Sequence, residues 1–152
     1  RQEVGDHEGL EAAVSDAFPG AHVDIVQKAG RFDLSFQQDG LLRPLSQAEL
    51  SDGTLRYLLW IAALLTPRPP ELMVLNEPET SLHPELLPPL GRLMKKCAES
   101  TQLWVISHAH GLIDALSEES NHVHLTKRLG ETMIEGLGTL DFETPAWRWP
   151  VR

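Results

Sequence analysis

The chain has 152 residues, 41% of them hydrophobic, and a formal net charge of −9. That length and apolar content predict one folded domain with a real core and exclude disorder as the default state. The negative charge excludes an overall nucleic-acid-coating surface, because phosphate binding needs clustered Lys and Arg; a DNA contact elsewhere in a longer parent protein stays open, without support from this chain.

In chain order, His7 to Phe18 reads as an amphipathic helix with Leu10, Ala13, Val14 and Phe18 on one side, ended by Pro19-Gly20. Ala21–Gln27 and Arg31–Gln37 read as two strands joined at Ala29-Gly30, with Phe32, Leu34 and Phe36 alternating onto one face. Gly40–Leu50 is a predicted loop containing Pro44. From Thr54 to Leu65 the chain is almost continuously apolar, which predicts a helix buried nearly all round, stopped at Pro67. Leu72–Leu75 and Leu103–Ile106 are apolar runs of strand length, expected in a parallel sheet covered on both faces. The helix between them, Glu85–Ser100, must start late or kink at Pro88-Pro89. In that helix the single cysteine, Cys97, reads as a small core residue; one cysteine excludes a disulfide framework and fits a reducing, cytoplasmic setting. A short helix near Gly111–Ser117 precedes a hairpin of His122–Lys127 with Glu131–Ile134, and the tail carrying Trp147 and Trp149 is irregular. No apolar run approaches the roughly 20 residues of a membrane span and none reads as a signal peptide, so this segment is not expected to enter a membrane by itself. The first residue is Arg1, not Met, which fits a fragment.

Three segments carry chemistry. Leu50-Ser51-Asp52-Gly53-Thr54 stands at the start of the apolar helix, where free N–H groups and the helix dipole favour anions. Taken alone, Ser51 or Asp52 is more simply a helix cap. Asn76-Glu77-Pro78-Glu79-Thr80-Ser81-Leu82-His83-Pro84 follows an apolar strand at its carboxyl end, where α/β sheets bind ligands. Asn76 and Glu77 there could hold Mg²⁺ through water and orient a second water towards a phosphate. The alternative makes Glu77 and Glu79 surface loop acids around Pro78, and it is disfavoured because they abut a buried strand. Ser107-His108-Ala109-His110-Gly111 follows the next strand, so His108 could reach the same phosphate, although a lone His in that place is more often structural.

In this order the three segments resemble the C-terminal lobe of an ABC-type ATPase, closest to the SMC/RecF-like and OLD-like ATPases, over about Gly20 to Leu116. The resemblance implies an α/β fold with a mostly parallel core sheet, flanking helices and a short C-terminal β-hairpin, residues 1–152 forming one lobe. It implies that Leu50–Thr54 is the signature motif, whose Ser51, Asp52 and Gly53 contact ATP bound to the opposite protomer. Leu72–Glu77 would be Walker B, with Glu77 the catalytic carboxylate and Asn76 siting Mg²⁺ through water. Residues 80–84 would be the D-loop, with Ser81 and His83 at the nucleotide, and His108 the switch histidine on the γ-phosphate. ATP and Mg²⁺ are the implied cofactors, and the implied partner is a second head, joined by ATP and released by hydrolysis.

Two departures bear on activity. Asn76 stands where the family usually has Asp, which weakens the hold on hydrated Mg²⁺ and predicts slow turnover. No Gly is followed by Lys, so the phosphate-binding pattern G-x-x-x-x-G-K-[ST] is absent and is expected in an N-terminal lobe of a parent ATPase. The isolated chain is then expected to be inactive. The alternative is a catalytically weak or inactive, nucleotide-gated interaction module of the same fold. Other chemistries find less support. His108/His110 and His122/His124 give no third metal ligand at a recognisable spacing. Ser107, His108 and Asp114 lack a G-x-S-x-G elbow. Trp147 and Trp149 read as a cover for a sheet edge or seam before a base-stacking platform.

Overall fold

A computed structural model describes residues 7–128 and 131–135. Helix α1 (His7–Ala17) buries Val14 and leans Leu10 and Ala13 on the core. Phe18, just past its end, meets Phe36 and Tyr57 edge-to-face at 5.6 Å each, a geometry worth about 0.5–1.5 kcal/mol per pair beyond burial. Strands β1 (His22–Lys28) and β2 (Arg31–Gln37) pair antiparallel with Lys28 opposite Arg31. Ala29 (φ 49) and Gly30 (φ 79) make the left-handed two-residue turn that matches strand twist. The expected alternation holds at the core end, where Phe36 is buried, and fails at the turn end, where Phe32 is 57% exposed because the hairpin runs past the buried cluster.

The stretch expected to be a loop contains a two-residue strand, β3 (Leu45–Ser46), on the edge of β2. A 3-10 turn over Gln47–Glu49 follows. Glu49 accepts from the Ser46 amide and hydroxyl at 3.0 and 2.9 Å and pairs with Arg43. The Arg43 hydrogen bond, followed by those from Ser46, holds the Glu49 carboxyl down at about 2. This box fixes the approach to helix α2 (Asp52–Leu64).

The parallel unit consists of β4 (Leu72–Asn76), helix α3 (Leu87–Ala98), β5 (Gln102–Ile106) and helix α4 (His110–Leu116). The prolines do not kink α3. A 3-10 turn over Pro84–Leu86 precedes it, and Pro88 and Pro89 fall in its first turn, where the amides have no intrahelical acceptor. Beyond them α3 buries Leu90, Leu93, Met94 and Cys97 at helical spacing, and burial pushes the Cys97 thiol above its usual range.

Two expectations about burial are corrected. Helix α2 is not buried all round: Tyr57, Ile61 and Leu64 form one buried stripe, while Leu59 is 69% exposed. The β4–β5 sheet is not covered on both faces. Met73, Leu75, Leu103 and Val105 pack on the core, whereas Leu72, Val74, Trp104 and Ile106 are 46%, 55%, 65% and 41% exposed. The described residues supply a layer for one side only.

From Ser120 onward the described residues belong to a separate compact unit. It holds the hairpin β6 (Leu125–Arg128) and β7 (Glu131–Ile134), antiparallel, with His124 paired to Glu135. Trp147 and Trp149 lie outside the described residues. No helix among the described residues is long and apolar enough to cross a membrane.

The tightest helix contact predicts its own test. A Cβ at Gly91 would sit 2.7 Å from the Ala115 Cβ. Gly91→Ala should therefore lower the urea midpoint of the chain although alanine is the better helix former by about 1 kcal/mol, because overpacking costs about 1–3 kcal/mol. A raised midpoint would mean that α3 and α4 separate freely.

Candidate functional site

Parallel pairing sets Asn76 opposite Ile106, so both strands end side by side. The ladder runs one residue further, with the Glu77 amide donating to the Ile106 carbonyl at 2.8 Å. Glu77 then turns into the left-handed region, at φ 47. Such a backbone conformation is strained for a residue with a Cβ and is held only when its surroundings demand it. The turn closes through the Thr80 amide on the Glu77 carbonyl (3.1 Å) and the Leu82 amide on the Glu79 carbonyl (3.0 Å).

His108 leaves the end of β5 beside this turn. Its Nε2 lies 3.3 Å from Glu77 Oε1, both side chains being exposed. Asn76 and Glu77 line an open cleft of about 520 Å³ together with Arg56, Leu59, Trp60, Ala63 and Thr80. The opposite wall is α2, which grips the turn directly. Arg56 Nη1 donates to the Thr80 carbonyl at 2.7 Å, and Trp60 Nε1 donates to the Pro78 carbonyl at 2.9 Å.

The other predicted residues gather on the far side of the same turn. Ser51, Gly53, Ser81 and His83 line a second cleft, of about 680 Å³, with Thr54, Gln38 and Phe18 among its walls. Ser51 caps α2, its Oγ accepting from the Thr54 amide at 3.1 Å. Asp52 is exposed in the first turn of the helix and does not line the cleft. His83 caps the following 3-10 turn, its Nδ1 accepting from the Glu85 amide at 3.4 Å. Thr80 faces the first cleft and Ser81 the second, so one turn divides the predicted residues into two groups. Gly53 has a cause inside the chain, since a Cβ there would stand 2.9 Å from the Ser81 carbonyl oxygen.

Sequence reasoning gave no role to Arg56 or Trp60, and it weighed Glu79 and Ser107 without pairing them. Glu79 is no surface acid: its Oε1 accepts from Ser107 Oγ (2.8 Å), the His108 amide (2.8 Å) and the Ala109 amide (3.2 Å). Partial burial pushes the Glu79 carboxyl up. Its own amide, those of His108 and Ala109, and the Ser107 hydroxyl outweigh that and hold it below the usual range. The signal available in the sequence was a second acid two residues after the first. The partner segment, 28 to 30 residues away, was not readable there.

The same arrangement of parallel strands and helices occurs in the heads of SMC ATPases. One solved structure, from work on the ATP-driven dimerisation and DNA-stimulated activation of SMC ATPases, aligns with 84% of this chain and 80% of its own at a TM-score of 0.66 and 11% identity. The SMC head from Thermotoga maritima aligns at 0.58 and 22% identity, and an SMC head bound to the C-winged helix domain of ScpA at 0.69 and 12%. The chain spans 45% and 41% of those two, less than half of each. No curated protein matches it. The fold is thus that of an SMC ATPase head. The chain belongs to the family described as "AAA domain, putative AbiEii toxin, Type IV TA system", whose profile matches residues 2–114.

Gly53→Ala should force the Ser81 turn away from α2. We expect a loss of about 1–3 kcal/mol in urea unfolding, with amide shifts concentrated at residues 79–83. A methyl accepted without change in either measurement would mean that the contact is slack.

Proposed function

We propose that this chain is the C-terminal lobe of an ABC-type ATPase and that its two clefts serve two different nucleotides. The observation that carries the proposal is Glu77, held in a strained left-handed conformation at the end of a parallel strand with His108 Nε2 3.3 Å from its carboxylate. In this reading, Glu77 accepts the proton of a water that attacks the γ-phosphorus of ATP. The bond from that phosphorus to the β,γ-bridging oxygen breaks, leaving ADP and phosphate. His108, beside Glu77, donates to a γ-phosphate oxygen. Ser51 and Gly53 at the N-terminus of α2, with Ser81 and His83, meet the nucleotide of the opposite protomer, where free amides and the helix dipole favour its charge, and Asp52 stands exposed beside that cleft.

The donor set bears on Mg²⁺. Asn76 offers a neutral carbonyl oxygen and Glu77 a carboxylate, and no cluster of three acidic, imidazole or thiol groups forms among the described residues. That set fits an ion held through water on a bound phosphate rather than one caged by protein. When bound, Mg²⁺ would neutralise phosphate charge.

The phosphate-binding loop would come from a lobe outside this sequence, which contains no G-x-x-x-x-G-K-[ST]. The exposed apolar face of Leu72, Val74, Trp104 and Ile106 supports that reading, because parallel sheets are ordinarily covered on both sides. Asn76 favours one second reading, a nucleotide-gated module that binds a partner with little or no turnover.

In the full-length parent, Glu77→Gln should abolish ATP hydrolysis and leave ATP-driven association of heads intact or prolonged, read by phosphate release and sedimentation. Normal turnover in the variant removes Glu77 from its role. No turnover in either protein, with ATP binding retained, favours the module. The chain by itself should show no micromolar Mg-ATP affinity by calorimetry, and such affinity would contradict the two-lobe site.

A further inference from the structure

We propose that Glu79 is a positioning residue: it clasps the segment Ser107–Ala109 to the turn after β4 and so fixes His108 over Glu77. The catalytic part of this inference rests on the ATPase reading above; the clasp does not.

Three donors converge on one oxygen. Ser107 Oγ and the His108 amide each stand 2.8 Å from Glu79 Oε1, and the Ala109 amide 3.2 Å. Ser107 Oγ itself accepts from the Ala109 amide at 3.1 Å, so the segment is folded around the carboxylate. The second oxygen, Oε2, is closed off from solvent and has no partner. A carboxylate in this position accepts only, which suits a ring of donors. Hydrogen bonds to an ionised acceptor are about twice as strong as neutral ones.

The geometry also explains what the clasp accomplishes. Ser107, His108 and Ala109 lie between β5 and α4; His108 is exposed, and Ala109 packs on the core with a single methyl. Glu79 holds the Ser107 hydroxyl and the backbone amides at 108 and 109, so the segment is fixed whichever way the imidazole points. Glu79 is itself held by the turn that Trp60 and Arg56 grip through the Pro78 and Thr80 carbonyls. Glu77 and His108 therefore come to 3.3 Å through one connected set of hydrogen bonds rather than through their own contact alone. Glutamine at 79 keeps the length and one acceptor, loses the charge, and turns a donor into the closed space at Oε2, where nothing accepts it. A neutral substitute is therefore not equivalent, and aspartate is one methylene too short to reach.

Two measurements test this. In this chain, amide hydrogen exchange at His108 and Ala109 should speed up about tenfold or more in Glu79→Gln, with exchange elsewhere in the core unchanged. In the full-length parent, the same substitution should lower kcat about tenfold or more while KM for ATP stays within about twofold. On a His108→Ala background it should add almost nothing, because a residue that acts only through His108 has no further effect once His108 is gone. Equal losses in both backgrounds would mean a general structural role and overturn the proposal, as would unchanged exchange in the chain. A parent that turns over normally with Glu79→Gln overturns it too. A wild-type parent without turnover ends the ATPase reading and the positioning role together, and the exchange result then decides the clasp alone. Should Glu79→Gln fail to fold, Ser107→Ala removes one donor and one acceptor and should give the same directions at smaller amplitude; no change in either measurement would count against the clasp.

Discussion

Parallel pairing of β4 with β5, in the register that sets Asn76 opposite Ile106, is the constraint on which the rest of the site depends. Two parallel strands end on the same side, so the residues that follow each of them emerge together without any need for sequence proximity. Glu77 and His108 are 31 residues apart in the chain and 3.3 Å apart at the nearest atoms. A shift of one residue in that register would turn every side chain of one strand to the other face. Met73, Leu75, Leu103 and Val105, which pack on the core in this alignment, oppose such a shift.

Around that pair, the turn from Glu77 to Leu82 is held from two sides. Helix α2 supplies two side-chain donors, Arg56 and Trp60, that take up the Thr80 and Pro78 carbonyls. The β5–α4 segment supplies three donors to Glu79. Positive φ at both Glu77 and Ser81 costs about 1–3 kcal/mol per residue, and these contacts are what offset it. Pro78, fully buried in the middle of the turn, limits the number of alternative conformations the unfolded chain can offer. In the proposed function, a turn gripped in this way would hold its acids in place before any ligand arrives, the condition for electrostatic catalysis.

The division of the predicted residues between two clefts has a mechanical consequence. Ser51 and Gly53 at the start of α2, and Arg56 and Trp60 one and two turns along it, are parts of one rigid element. A movement of that helix N-terminus reaches Pro78 and Thr80 through two hydrogen bonds. In the proposed function, closure of one cleft over a nucleotide would be felt at the carboxylate in the other, an arrangement suited to an element with two states. The bare apolar face of β4 and β5 belongs to the same picture, since a layer laid upon it would also bear on the strand ends.

Much of this was legible in the sequence. Apolar runs and their spacing determined α1, the β1–β2 pair, the parallel strands and α3, because period and length follow from local geometry. The order of the three polar segments at helix starts and strand ends pointed to residues that the fold brings to two neighbouring clefts. Hydrophobicity also misled: the continuous apolar run of α2 and the two strands predicted burial on all sides, and the structure covers one. Composition records that a face must be covered somewhere, not by which part of which chain. The role of Glu79 was decided only by tertiary structure, because its partners lie 28 to 30 residues away and two of the three are backbone amides, which every residue possesses and no sequence distinguishes. Local pattern fixes which elements form. Which acid holds a loop and which faces a ligand depends on where the strands end in space.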